Sequence, residues 1–206
     1  ERMRIDASGH LLVGKTSTAF ATEGVALYSN GTVDIVNTGV TLSLNRTGAN
    51  GGIQDFYKST VKVGSISVTG SATSYNTSSD YRLKENVVDL TGASARVNQL
   101  DVKRFNFIAD DTNTAVDGFL AHEVADVVPE AITGTKDGMM DEEYEVTPAV
   151  LDDDGNVTTE AVMGTRSVPD YQGIDQSKLV PLLTAALQEA LTEIASLKTR
   201  VEALEG

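Results

Sequence analysis

The chain has 206 residues, enough for one ordinary domain or two small ones. It has no cysteine, which excludes disulfides, thiolate metal sites and cysteine catalysis. The net charge of −14 is uneven: residues 1–79 carry five acidic and six basic side chains, and the remainder carries 25 acidic and ten basic ones. Such an acidic surface argues against nucleic acid or an anionic membrane as a partner.

Two further classes of protein are disfavoured by the order of the residues. No apolar run reaches the roughly 18 residues of a transmembrane helix, so no membrane insertion is expected. No basic and apolar signal segment opens the chain. Because the sequence starts at Glu1, we expect it to be a fragment of a longer protein.

Residues 1–79 form a pattern of short β-strands separated by turn residues. Strands are predicted at residues 3–5, 10–13, 25–28, 32–36, 40–44 and 61–68, with turns at 29–31 and 50–52. The apolar residues are too sparse for a sturdy monomeric core. We therefore expect an all-β segment that needs other chains, as a trimeric β-structure or as part of a β-helix-like repeat stack.

Residues 9–16 match the P-loop pattern G-x-x-x-x-G-K-[ST]. Phosphate binding needs a flexible loop between a buried strand and a helix. Here Leu11, Leu12 and Val13 occupy the loop positions and favour a strand, and the residues after Thr16 make a poor helix. A strand between two turns is the favoured interpretation, and a nucleotide-binding protein is a distant alternative.

From residue 80 the pattern changes to mixed helix and strand. Helices are predicted within 87–100 and 121–128, a strand at 102–108, and a long hairpin from 144–150 and 157–162. A last helix is predicted from Ser177 nearly to the end of the chain. The fold class is α+β.

The tip of the predicted hairpin, residues 152–156, resembles half of a calcium loop. Asp152, Asp154 and Gly155 fit the EF-hand pattern, but Val150 and Ala161 stand at the first and closing ligand positions. A solvated turn is favoured. No metal site and no cofactor are predicted.

The last helix carries a heptad pattern of apolar residues. Its two rows are Leu183, Ala190, Leu197 and Leu204, and Leu187, Ile194 and Val201. The pattern favours self-association through a coiled coil, against the alternative of an amphipathic helix packed on its own domain. A pattern of about three heptads does not decide between a coiled coil of two helices and one of three.

Four blocks in order resemble the self-cleaving intramolecular chaperone domain at the C-terminus of phage tail spikes and tail fibres. They are residues 77–87 (TSSDYRLKENV), 102–107, 118–131 (GFLAHEV and VPEA) and 174–183, which runs into the coiled coil. The resemblance covers about residues 77–206. One departure is His122, where the family more often has Gln.

The resemblance implies an all-β end of a fibre shaft or tip at 1–79 and a chaperone domain at 80–206, with its C-terminal helix and coiled coil at 173–206. It implies a homotrimer whose chaperone assists its own N-terminal fibre domain and is then cut away. A host-surface receptor is expected for the mature fibre. The N-terminal part is expected in the virion, and the released chaperone in the host cytoplasm.

Carried onto this sequence, the resemblance makes Ser79 the nucleophile and Lys84 the base. The implied cut lies between Ser79 and Asp80, with the Ser78–Ser79 bond as second choice. An attack by Ser79 on the preceding carbonyl would cut at Ser78–Ser79. An attack on its own carbonyl needs a strained small ring, so a cut after Ser79 requires a neighbouring group or chain.

The residue types themselves can support this chemistry. A serine hydroxyl needs a base, and a lysine serves when desolvation favours its neutral form. The spacing of five residues between Ser79 and Lys84 suits a turn, or a contact across chains, better than a helix. The structural alternative is that Ser79 caps a helix and Lys84 is a solvated surface charge. The functional alternative is a non-catalytic trimerisation and receptor-adhesion tip of a fibre protein.

Overall fold

A computed structural model describes residues 2–153 and 157–206 and combines short antiparallel sheets with three α-helices. This arrangement confirms the predicted α+β class. Contacts divide the chain into two compact units, Glu1–Val87 with Glu142–Arg166, and Val88–Asp141 with Ser167–Gly206. These units are defined by contacts within the chain and do not test a domain boundary in the sequence. The boundary predicted between residues 79 and 80 therefore stays a prediction.

The first sheet of the first unit is a four-stranded antiparallel meander. Its strands are β1 (Met3–Ile5), β2 (Leu11–Val13), β3 (Gly24–Leu27) and β4 (Val33–Val36). The Asp6 carboxylate accepts hydrogen bonds from the backbone N–H groups of Ser8 and His10 and so closes the first turn. Leu12 and Ala26 pair across β2 and β3 and are fully buried. The strands predicted in this region are confirmed to within two residues.

The second sheet consists of β5 (Gly51–Lys58), β6 (Val61–Val68) and β7 (Thr73–Thr77). The predicted strand 61–68 is confirmed. The strand predicted at 40–44 is wrong, because this segment pairs with no strand in the described chain and its Val40 side chain remains 78% exposed. The turn predicted at 50–52 is wrong for two of its three residues. Gly51 and Gly52 belong to β5 and pair with Val68 and Ser67 of β6.

The predicted long hairpin is confirmed. It is built from β11 (Met139–Thr147), β12 (Val150–Leu151), β13 (Val157–Thr159) and β14 (Val162–Pro169), where β11 pairs with β14 and β12 with β13. Asp154 and Gly155, on which the calcium-loop alternative depends, lie outside the described residues.

The second unit contains two-stranded sheets and all three helices. The strands are β8 (Lys103–Phe105) with β9 (Val116–Gly118), and β10 (Ile132–Thr133) with β15 (Gly173–Ile174). The helices are α1 (Ala93–Val97), α2 (Ala121–Ala125) and α3 (Leu179–Glu205). Their core consists of Ala93, Val124, Val128, Ala131, Leu179 and Leu182. This core is what fixes α1 and α2 against the start of α3.

The predicted helices of this unit are shorter than expected, except the last. α1 occupies only residues 93–97 of the 87–100 range, and Gly92 adopts a left-handed φ of 68° immediately before it. α2 ends before a 3-10 turn at Pro129–Ala131. In the described chain no helix has the length and apolar character needed to cross a membrane.

Candidate functional site

The predicted site begins where β7 ends, at Ser78. Its backbone N–H donates to the carbonyl oxygen of Val63 at 3.1 Å, and its hydroxyl donates to the carbonyl oxygen of Lys62 at 3.2 Å. Both acceptors lie on β6, so the sheet anchors the chain up to Ser78. The hydroxyl of Ser78 is therefore occupied by a backbone contact.

The chain then turns tightly between Asp80 and Lys84. A single 3-10 turn spans Tyr81–Leu83, with Asp80 as its N-cap. The Asp80 carboxylate accepts from the backbone N–H of Arg82 at 2.8 Å, and the Lys84 N–H donates to the Tyr81 carbonyl at 3.1 Å. Asp is a favoured N-cap because its carboxylate satisfies an N–H that the turn leaves unpaired.

This turn brings the two predicted catalytic side chains together. Lys84 Nζ lies 2.8 Å from Ser79 Oγ and 3.2 Å from the carbonyl oxygen of Ser79. A lysine at these distances can exchange a proton with the hydroxyl and polarise the carbonyl. The five-residue spacing closes through a turn, as the sequence suggested. The roles of nucleophile and base stay predictions.

Both side chains are exposed to solvent in the single chain. Exposure leaves water free to solvate a lysine ammonium, and desolvation is what favours the neutral amine. The contact is thus in place without the dry environment that base catalysis by lysine requires.

Asp80 and Arg82 form a second contact that the sequence analysis did not identify. Arg82 Nε donates to Asp80 Oδ1 at 2.9 Å, and a terminal guanidinium nitrogen donates to Oδ2 at 2.7 Å. The Arg82 side chain and its backbone N–H together lower the pKa of Asp80. The Asp-x-Arg pattern directly after Ser79 was the signal that could have revealed it.

The P-loop-like residues 9–16 fold as the sequence analysis favoured. Leu11, Leu12 and Val13 form β2, and Gly14 turns the chain with φ of 71°. The Lys15 side chain is only 6% exposed, and its Nζ donates to the Ala19 carbonyl at 2.9 Å. Burial lowers the pKa of Lys15, against the opposing charges of Asp34 and Glu145.

The heptad residues of α3 form an exposed apolar stripe. Leu187 and Ile194 are 60% and 61% exposed, and the stripe also includes Leu183, Leu197, Val201 and Leu204. The start of the helix, by contrast, packs through Leu179 and Leu182 into the core of its own unit. Among the described residues no group of three or more His, Asp or Glu side chains could hold a metal ion.

The segment that contains the turn at Tyr81–Leu83 is similar to a known protein family. Residues 79–133 match the peptidase S74 family model, described as the chaperone of endosialidase. The match starts at Ser79 and confirms the resemblance predicted from the sequence. No curated protein matches the chain.

One solved structure with a similar chain is the carboxy-terminal domain of the bacteriophage T5 L-shaped tail fibre with its intramolecular chaperone domain. The identity is 11% and the TM-score 0.39, over 92% of this chain and 45% of that chain. The present chain therefore spans less than half the length of that one.

Proposed function

We propose that this chain is the C-terminal part of a phage tail fibre or tail spike precursor. Residues 80–206 act as an intramolecular chaperone that trimerises the precursor, assists the folding of its N-terminal segment and then cuts itself away. The observation that carries the proposal is the contact of Lys84 Nζ with Ser79, at the first residue of the family match. The mature part belongs in the virion, and the cut takes place in the host cytoplasm.

The chaperone role is supported by the hairpin arm, which we define as residues 142–166. Although it follows the chaperone match in sequence, it groups with the N-terminal strands. Glu160 of the arm forms an ion pair with Arg4 of β1. The negative charge of Glu145 acts on the buried Lys15, and that of Glu143 acts on Tyr28. The grouping of this acidic arm with the N-terminal strands supports a chaperone role toward that segment.

The trimer is supported by the exposed stripe of α3. A helix of 27 residues with two apolar rows at heptad spacing buries those rows when identical helices associate. The resemblance favours three chains, and light scattering of the uncut chain tests this number. A stable monomer would contradict the proposal.

The cut follows from the chemistry of Ser79 and Lys84. Neutral Lys84 takes the hydroxyl proton, and the serine oxygen attacks a carbonyl carbon to form an ester as the peptide C–N bond breaks. The released amine takes the proton from Lys84, and water then hydrolyses the ester. The products are one new carboxylate and one new amino terminus.

The Ser79–Asp80 bond is the proposed bond because Lys84 Nζ also contacts the carbonyl oxygen of Ser79. A serine cannot attack its own carbonyl without closing a strained four-membered ring. In the proposed trimer the attacking hydroxyl therefore comes from Ser79 of a neighbouring chain. Attack on the Ser78 carbonyl within one chain would instead release Ser79 as the new amino terminus.

Intact-mass analysis of the expressed chain tests both the activity and the bond. We expect fragments ending at Ser79 and beginning at Asp80, and a single uncut species from Ser79→Ala. Ser78→Ala is the matched control, since its hydroxyl already contacts the Lys62 carbonyl and is expected to be dispensable. An uncut wild-type trimer, or cleavage of Ser79→Ala, would contradict the proposal.

Mixed trimers test the attack between chains. Ser79→Ala chains carrying a size tag are co-expressed with unaltered chains, and we expect the tagged chains to be cut by their neighbours. If only the unaltered chains are cut, the attack takes place within one chain.

A non-catalytic trimerisation and receptor-adhesion tip is the second candidate. It is favoured by the exposure of both Ser79 and Lys84 in the single chain. This candidate predicts one full-length band on a denaturing gel after assembly, whereas self-cleavage predicts two.

A further inference from the structure

Few interactions stabilise the turn that joins Ser79 to Lys84. Its residues are exposed, and no residue of the turn belongs to a hydrophobic core. Beyond the sheet contacts of Ser78, the bonds that fix it within the described chain are local ones. Backbone bonds join Leu83 to Asp80 and Lys84 to Tyr81.

Arg82 donates three hydrogen bonds to the Asp80 carboxylate. Its backbone N–H and Nε both donate to Oδ1, at 2.8 and 2.9 Å, and its terminal nitrogen donates to Oδ2 at 2.7 Å. The two parallel side-chain bonds make a bidentate pair, which fixes direction as well as distance. The backbone bond fixes the turn itself.

We infer that Asp80 and Arg82 are positioning residues for self-cleavage, which hold the turn that places Lys84 Nζ against Ser79. The inference rests on the proposed function. An exposed ion pair contributes little to stability, because water screens it. Its effect on a reaction can be much larger, since displacing a catalytic group by about 1 Å can cost on the order of a hundredfold in rate.

Arg82 is the better residue for a test, because Asp80 itself borders the proposed bond. The Arg82 side chain donates its hydrogen bonds to the Asp80 carboxylate, whereas Lys84 donates to Ser79. We expect Arg82→Ala to slow cleavage by on the order of a hundredfold. Arg82→Lys keeps the charge but cannot make the bidentate contact, so we expect an intermediate loss of roughly tenfold.

Arg104 provides a matched control. It forms the same kind of exposed bidentate pair with Asp117, at 2.7 and 3.0 Å, between β8 and β9. Arg104→Ala removes an equivalent surface pair away from the turn. We therefore expect it to cleave at the wild-type rate.

Chemical rescue separates positioning from a merely structural role. Low concentrations of guanidinium chloride are added to the assembled Arg82→Ala precursor, with equal concentrations of sodium chloride as the control. We expect guanidinium alone to restore part of the rate, because it can reoccupy the carboxylate of Asp80. Light scattering is expected to give the same assembly state for Arg82→Ala as for the unaltered chain.

The outcomes distinguish this inference from the proposed function. If Ser79→Ala and Lys84→Ala remain uncut while Arg82→Ala cleaves at the normal rate, the positioning role is wrong and the proposed function stands. Loss of cleavage together with loss of assembly, or loss that guanidinium does not relieve, also overturns the positioning role. If Ser79→Ala is still cut, the proposed function fails.

Discussion

Replacing Ile194 by Asp should abolish cleavage, although Ile194 lies far from Ser79 in the sequence. Ile194 lies on the apolar stripe of α3 and is 61% exposed in the single chain. The proposed reaction needs the assembled trimer, because assembly supplies the neighbouring serine and the burial that favours a neutral lysine. A change at Ile194 is therefore expected to act on Ser79 through assembly.

The expected loss of assembly free energy can be estimated from the part of the Ile194 side chain that is exposed in the single chain and would be buried in the trimer. Full burial of an isoleucine side chain contributes about 1.5–3 kcal/mol, so burying the exposed part contributes roughly 1.3 kcal/mol per chain. Three chains lose about 4 kcal/mol, or about a thousandfold in the assembly equilibrium. Three aspartates in one layer of the seam repel each other and add to this loss.

Light scattering and a cleavage time course by intact mass are run on the same samples. Thr192→Asp is the matched control, because Thr192 is exposed two residues away, outside the stripe, and its hydroxyl donates to the Gln188 carbonyl of its own helix. We expect the control to assemble and cleave, and Ile194→Asp to do neither. A monomeric Ile194→Asp chain that cuts itself as fast as the trimer would refute the coupling of assembly to cleavage.

Three further predictions concern the base and the second unit. Lys84→Ala and Lys84→Arg should both assemble but remain uncut by intact mass, since a guanidinium stays protonated; normal cleavage of the Arg variant would exclude Lys84 as a base. Glu189 accepts hydrogen bonds from Ser94 and from the first N–H groups of α1, which lower its pKa from 4.5 to about 2. This stabilisation is present above pH 4.5 and is lost as the pH falls towards 2, so the difference in thermal midpoint between wild type and Glu189→Gln should disappear over that range. Val124→Ala removes two methyl groups from a side chain that is 1% exposed and should cost about 2–3 kcal/mol in denaturant unfolding, whereas the exposed Val88→Ala should cost almost nothing.

Helices, strands and turns were predicted well from the sequence where a local pattern of residues is enough to determine them. The turn at Asn30-Gly31, the strand β6 and the helix α3 each follow from a local pattern of turn residues or apolar spacing. The strand predicted at 40–44 failed because alternation alone does not supply a pairing partner. β5 and β7 were missed because their polar residues show little of the alternation that marks a strand.

The sequence could propose Ser79 and Lys84 as the residues of a site, but it could not predict the geometry of their contact. A resemblance to a family pointed to Ser79 and Lys84, whereas this stretch alone favoured a helix cap at Ser79 and a solvated surface charge at Lys84. What decides the geometry is the 3-10 turn at Tyr81–Leu83, which depends on hydrogen bonds to one carboxylate. Sequence periodicity carries no information about so short a turn. The hairpin arm was predicted as a hairpin, but its grouping with the N-terminal strands depends on long-range contacts.

The exposure of the Ser79–Lys84 contact bears on when the cut takes place. The turn that forms this contact is built from hydrogen bonds between residues at most five positions apart, so it can form before the chain assembles. Base catalysis by a lysine is favoured when burial removes water from its amine. In the proposed reaction the local turn supplies the geometry, and we expect assembly to supply the burial. We therefore expect a precursor of the proposed kind to keep its chaperone attached through folding and to be cut only when neighbouring chains exclude water from Lys84.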